Sequence, residues 1–195
     1  MSANRVSGPT PSQTIGPFFS FGMSWNADGL VVPEATSGAL VISGRVLDGE
    51  GASVPDAMVE VFQSPPAPAA PLAQPAPTQP APAQQEVAWR GFGRCMTDAE
   101  GCFRFVTVKP AGVPGSAPHL EVSVFARGLL QRLWTRIYFP DEVEANHADP
   151  VLASAGPRAF TLVAQPEAEQ LRFDIRLQGA GRGGRGGEET VFFAW

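Results

Sequence analysis

The apolar residues of this chain fall into short alternating runs closed off by turn residues, and that pattern rules out most folds. Residues 39–47, 57–63, 89–96, 102–108, 119–126, 134–139, 160–164, 171–177 and 190–194 each read as a strand, because they alternate or are rich in β-branched and aromatic residues between glycine, proline and aspartate. The clearest case is 119–126, where Leu120, Val122 and Val124 alternate with Glu121, Ser123 and Phe125. Successive side chains of a strand point to opposite faces, so the aliphatic set faces a core and the other set faces outward. One short helical turn is expected at about 141–146. About nine short strands with so little helix imply an all-β, antiparallel β-sandwich with an irregular N-terminal arm and long loops. The segment T-D-A-E-G at 97–101 predicts a β-hairpin joining 89–96 to 102–108, with Gly101 at the left-handed turn position.

Two regions break the strand pattern. Residues 1–38 hold G-P-T-P-S-Q-T-I-G-P-F-F followed by further aromatics. Proline and glycine at that density prevent helix and discourage a central strand, whereas disordered tails carry few aromatics. An extended arm that docks its aromatics on another surface satisfies both facts. Residues 64–86 are a Pro/Ala/Gln run of polyproline II type. It reads as a loop insertion inside a single domain spanning 39–195, because strands resume on both sides and too few residues precede it to fold alone. A second, glycine-rich loop occupies 179–189.

The composition narrows function. With 14 Lys and Arg against 19 Asp and Glu, the net charge is -5, which argues against a partner that must be gripped through its phosphates. No apolar run approaches a membrane span, and the first residues lack the apolar core of a secretory leader, so the cytosol is the expected location. Two cysteines, Cys95 and Cys102, make no disulfide framework and read as small packing residues.

Few side chains are suited to metal chemistry. His119 and Glu121 share a strand face and can both touch one ion, but two ligands do not make a stable site. His147 lies in the polar stretch N-H-A-D-P and reads as a surface residue. The R-G-G repeat at 182–187 is a loop rather than an RNA-binding segment in so acidic a chain. Arg127 ends the strand V-S-V-F-A-R-G, with Arg132 and Arg136 close behind. An arginine at a strand end can grip a carboxylate with two parallel N–H bonds, or it can form an ordinary surface ion pair.

Several stretches, in order along nearly the whole chain, resemble the intradiol ring-cleavage dioxygenase family. They include T-P-S-Q-T-I-G-P-F at 10–18, G-R-C-M-T-D-A-E-G-C-F-R-F at 93–105, A-P-H-L-E-V-S-V-F-A-R-G-L at 117–129, T-R-I-Y-F-P-D-E at 135–142, A-D-P-V-L at 148–152 and R-F-D-I-R-L-Q-G at 172–179. The 64–86 run and the glycine loop do not resemble the family, and both fall in connections, where insertions cost little. The resemblance implies a β-sandwich whose family opens a dihydroxylated aromatic ring with dioxygen at ferric iron held by two tyrosines and two histidines. This chain departs from that donor set. It has a single tyrosine, Tyr138, which matches no ligand position. His119 resembles the first histidine of an H-x-H pair, but Glu121 stands at the second, and 112–118 contains no tyrosine.

The resemblance therefore implies an iron-free, alpha-type subunit, inactive by itself and with no metal of its own, that completes an active site on a partner beta chain carrying the ferric iron, within a larger hetero-oligomer. Thr14, Gly16 and Pro17 of the arm and Arg127 match the positions such chains lend to substrate binding. Two other readings are a non-enzymatic binding or scaffolding module of the same fold, and a self-sufficient iron dioxygenase, against which the ligand count stands.

Overall fold

In the computed structural model, residues 11–16, 19–24, 29–66, 90–179 and 187–194 are described. Two sheets face one another. The first contains β1 (Ala39–Leu47), β4 (Cys102–Val108), β7 (Gln165–Glu167), β8 (Gln170–Arg172) and β9 (Ile175–Arg176), and the second contains β2 (Met58–Phe62), β3 (Phe92–Met96), β5 (His119–Phe125) and β6 (Leu133–Tyr138). Their strand orders are β4-β1-β8-β7, with β9 also on β1, and β3-β2-β5-β6. The expected β-sandwich is present. The second sheet is wholly antiparallel, while β8 and β9 run parallel to β1.

The two-residue period of the strands builds the core. Ile42, Val46, Phe103 and Phe105 of the first sheet meet Val59, Val61, Leu120, Val122, Val124 and Ile137 of the second, all buried. In β5 every second residue is buried, so Leu120, Val122 and Val124 point inward and His119, Glu121, Ser123 and Phe125 point out. Close packing requires glycine at position 44: a Cβ there would lie 1.8 Å from the Phe173 carbonyl oxygen, nearer than any side chain can sit.

Five expected elements differ. The N-terminal arm, expected to hold no helix, winds into a short helix at Phe19–Met23, a stretch without proline that follows the proline-rich segment and opens with the Phe19 N–H on the Gly16 carbonyl. The 97–101 turn closes no hairpin: β3 pairs with β2 and β4 with β1, so the turn carries the chain from one sheet to the other. Asp98 shapes it by accepting the Glu100 and Cys102 N–H groups at 3.0 and 2.7 Å, and Gly101 has the positive φ of 73° expected of it. Alternation on either side of a turn shows two strands but not which partner each will take. Residues 160–164 fall largely in a 3-10 segment, Gly156–Leu162, entered through a positive-φ glycine and a proline. The 171–177 run splits into β8 and β9, because Asp174 turns its carboxylate onto the Arg45 N–H at 2.9 Å where a ladder bond would otherwise form. Residues 190–194 join neither ladder but are tied by Phe193 N–H to the Trp134 carbonyl at 2.8 Å.

Three short helices are present among the described residues: α1 (Phe19–Met23), α2 (Val143–Ala148) and α3 (Pro150–Ser154). Among these residues, no helix is long and apolar enough to cross a membrane. Most of the 64–86 run and most of the 179–189 loop lie outside the described residues.

Candidate functional site

Three distant segments meet at the turn after β5. Ala126 is buried at its base, Arg127 follows, and Gly128 adopts φ +91°, a conformation that glycine accepts without a Cβ clash. The Gly128 N–H donates to Oγ1 of Thr14 at 2.7 Å, which fastens the arm to the turn. From the β1–β2 loop, Asp56 reaches Nη2 of Arg127 with Oδ2 at 2.7 Å. Both side chains of this pair are substantially open to solvent, at 58% and 42% exposure, so it adds little to stability.

The arm continues along the second sheet. The Gly16 carbonyl accepts from Phe19 N–H at 3.2 Å, and the Phe19 ring lies 6.4 Å from that of Phe125. A Cβ placed on Gly16 would meet nothing within 4 Å, so its openness is not spent on packing against the described part of the chain. Pro17 lies outside the described residues.

The outward face of β5 and β6 carries a second cluster. Glu121 and Arg136 are cross-strand partners. The Glu121 Oε1 is 2.8 Å from Nη2 of Arg136 and 3.1 Å from Nε2 of His119, and Oε2 accepts the Trp134 indole N–H. Burial alone would push the Glu121 carboxyl up, but His119, the Arg136 guanidinium and the Trp134 N–H outweigh it and hold the carboxyl below its usual range. The other ring nitrogen of His119, Nδ1, is 2.7 Å from the Ala117 carbonyl. Beside this cluster lies an aromatic-walled groove of about 500 Å³ lined by Phe62, Phe92, Ser123 and Trp134.

Beneath His119 sits a buried polar knot. Tyr138 is fully buried, and its hydroxyl donates to Oδ1 of Asp149 at 3.2 Å while accepting from Arg136 Nη1 at 3.3 Å. Burial leads in pushing the Tyr138 phenol up to about 12, only partly opposed by Arg136. Burial would likewise raise the Asp149 carboxyl, but the backbone N–H groups of Leu152 and Ala117, with the Ser116 and Tyr138 hydroxyls, hold it below the usual range.

The structure thus joins Thr14 to the Arg127 turn and leaves Gly16 accessible beside it. His147 is exposed, and Cys95 and Cys102 are half-buried. Sequence reasoning did not find Asp56, Trp134 or Asp149. Asp149 carried a signal in its Asp-Pro pair, an N-cap followed by proline at the first helical position. Asp56 carried none, since its partner lies far along the chain.

Residues 16–179 match the dioxygenase family. The chain belongs to that family. It is 37% identical to the protocatechuate 3,4-dioxygenase alpha chain of Burkholderia cepacia, over 94% of this chain and 96% of that one. It is 35% identical to the beta chain of the same enzyme from that organism, but over only 72% of this chain and 64% of the other. Among solved structures, the dioxygenase domain of a dioxygenase carbohydrate-binding protein fusion from Streptomyces sp. SirexAA-E superposes with a TM-score of 0.54 at 23% identity, covering 89% of this chain and all of that one; this likeness concerns the fold.

Intradiol dioxygenases are non-haem iron enzymes, and the donor set here does not fit such an ion. His119 and Glu121 are bonded to each other, and Arg136 and Trp134 occupy the remaining approaches to the carboxylate. The Tyr138 hydroxyl is committed to Asp149 and Arg136. Among the described residues, no three His, Cys, Asp or Glu side chains gather where they could hold a metal.

Proposed function

We propose that this chain is the iron-free alpha subunit of a protocatechuate 3,4-dioxygenase and that it completes an active site whose ferric iron is held by a partner beta subunit. The observation that carries this reading is the end-to-end correspondence with an alpha chain, which the beta chain of the same enzyme does not share. The reaction opens the ring of protocatechuate between its two hydroxylated carbons. Both atoms of dioxygen enter the product, 3-carboxy-cis,cis-muconate, an intermediate of the beta-ketoadipate route of aromatic breakdown. The iron supplies the oxygen chemistry from the partner chain.

The work left to this chain is binding and orientation. Arg127 presents a guanidinium at the surface beside the arm, where it steers and holds the ring carboxylate of the substrate. Thr14 fixes the arm against the Arg127 turn. Gly16 of the arm lets another backbone come close to the same space, and Pro17 enters this reading through the family resemblance alone. The complex is cytosolic and assembles into a larger hetero-oligomer.

Co-expression with a beta chain bearing the tyrosine and histidine ligands tests this reading. The expected result is a co-purifying complex that consumes dioxygen with protocatechuate and contains stoichiometric iron, while the chain purified alone shows neither iron nor ring cleavage. Ring cleavage by the isolated chain would overturn it, and absence of any complex would favour a scaffolding module of the same fold. Within the complex, Arg127→Ala should raise the KM for protocatechuate about tenfold or more, the loss expected for one hydrogen-bonded charge, as read from initial rates of oxygen uptake.

A further inference from the structure

We propose that Asp56 is a positioning residue for Arg127, holding its guanidinium so that the free edge meets the carboxylate of the aromatic substrate. The inference rests on the reading that Arg127 faces that substrate.

Asp56 occupies an unusual place on the backbone, with φ at +62°. Residues other than glycine rarely enter that region, and aspartate and asparagine enter it most readily. Such a conformation persists only where the surroundings fix it, and Thr97 does so from both sides. Its Oγ1 donates to the Val54 carbonyl at 2.9 Å and accepts the Ala57 N–H at 2.8 Å. The Thr97 backbone N–H donates to the Ala57 carbonyl at 2.8 Å. Thr97 itself is buried. Residues on both flanks of Asp56 are therefore clamped by one buried threonine, and the carboxylate between them reaches Arg127 at 2.7 Å.

The rest of the Arg127 turn is held as firmly. Leu129 N–H closes it onto the Ala126 carbonyl at 3.2 Å, and Gly128 N–H binds Thr14. The backbone at Arg127 is fixed, but its long side chain has many rotamers and ends in solvent. An exposed ion pair does little for stability, so its consequence here is geometric. Asp56 engages Nη2, and the guanidinium keeps other N–H donors for an incoming carboxylate. The negative charge of Asp56 also weakly opposes an anionic ligand, and the two effects can be separated by substitution.

Glycine and asparagine both tolerate the positive φ at position 56, so neither substitution strains the loop. In the assembled complex, Asp56→Gly should raise the KM for protocatechuate roughly three- to tenfold, the loss expected when one long side chain must be ordered on binding, with kcat little changed. Asp56→Asn keeps an acceptor in place without the charge and should restore most of the loss. Catechol, the same ring without a carboxylate, should show no change with either variant. Unchanged or lowered KM for protocatechuate in Asp56→Gly would overturn the proposal, as would an equal effect on both substrates. If Arg127→Ala lacks a carboxylate-specific effect, the reading of Arg127 itself fails; if Arg127→Ala shows it and Asp56→Gly does not, only the positioning role fails.

Discussion

Replacing Asp149 with alanine will lower the melting temperature of the chain by roughly 6–20 °C, which corresponds to about 3–5 kcal/mol at the sensitivity expected for a domain of this size. Asp149 is 1% exposed. Its Oδ1 accepts the N–H groups of Val151 and Leu152 at 2.8 and 2.9 Å and the Tyr138 hydroxyl at 3.2 Å. Its Oδ2 accepts the Ala117 N–H at 2.8 Å and the Ser116 hydroxyl at 2.9 Å. One carboxylate thus caps α3, closes the loop entering β5 and anchors the end of β6. Alanine removes the cap, at about 1 kcal/mol, and strands buried donors at about 1–3 kcal/mol each. Asparagine keeps the cap oxygen and should lose less.

The same residue gives the fold an acid-sensitive component. The folded Asp149 carboxyl lies below its ordinary value, so the unfolded chain takes up its proton first as pH falls. Its contribution is complete above the unfolded value of about 4 and is lost as pH drops through the lower folded value. Thermal scans followed by circular dichroism across that range should show a shallower acid slope for Asp149→Asn than for the unchanged chain. Equal slopes, or a melting shift for Asp149→Ala within the ordinary range of surface substitutions, would show that the knot carries no such load.

What the sequence made legible follows a physical division between local and distant causes. The inward set of Leu120, Val122 and Val124 was readable because alternation is a property of adjacent residues. The left-handed Gly101 was readable because its turn is local. The partners of the strands on either side of that turn were not, since pairing depends on β2 and β1 rather than on the turn itself. Residues 160–164 carry strand-like composition, yet Gly156 and Pro157 upstream start a 3-10 turn, and only beyond it does the Ala164 N–H donate to the Tyr138 carbonyl. At the candidate site, Arg127 was visible as an arginine at a strand end, and Thr14 entered through family resemblance. Asp56, from another loop, became visible only when folding brought it to the guanidinium.

Glu121→His, which restores the H-x-H spacing of the family at 119–121, will load no stoichiometric iron and will destabilise the chain by roughly 2–3 kcal/mol. A fully buried ion pair broken from one side costs about 3–5 kcal/mol, and partial exposure of the pair reduces that figure, with Arg136 at 13% and Glu121 at 31%. The substitution leaves the Arg136 guanidinium without its carboxylate and sets a second imidazole where a counter-charge stood. It also removes the acceptor for the Trp134 indole N–H. Neither change supplies what a ferric ion needs. Residues 112–118 hold no tyrosine, and the Tyr138 phenol, pushed up to about 12 and bonded to Asp149 and Arg136, is not offered as a phenolate. The cation that balances Glu121 in this chain is therefore Arg136, fixed in the strand opposite, and one added histidine does not turn that place into a metal site. Elemental analysis of the purified variant, with a melting curve beside it, decides the matter: near one iron per chain with unchanged stability would mean that the cluster is a metal site lacking a single ligand, whereas negligible iron with a lower melting temperature would mean that Glu121 and Arg136 form a structural ion pair.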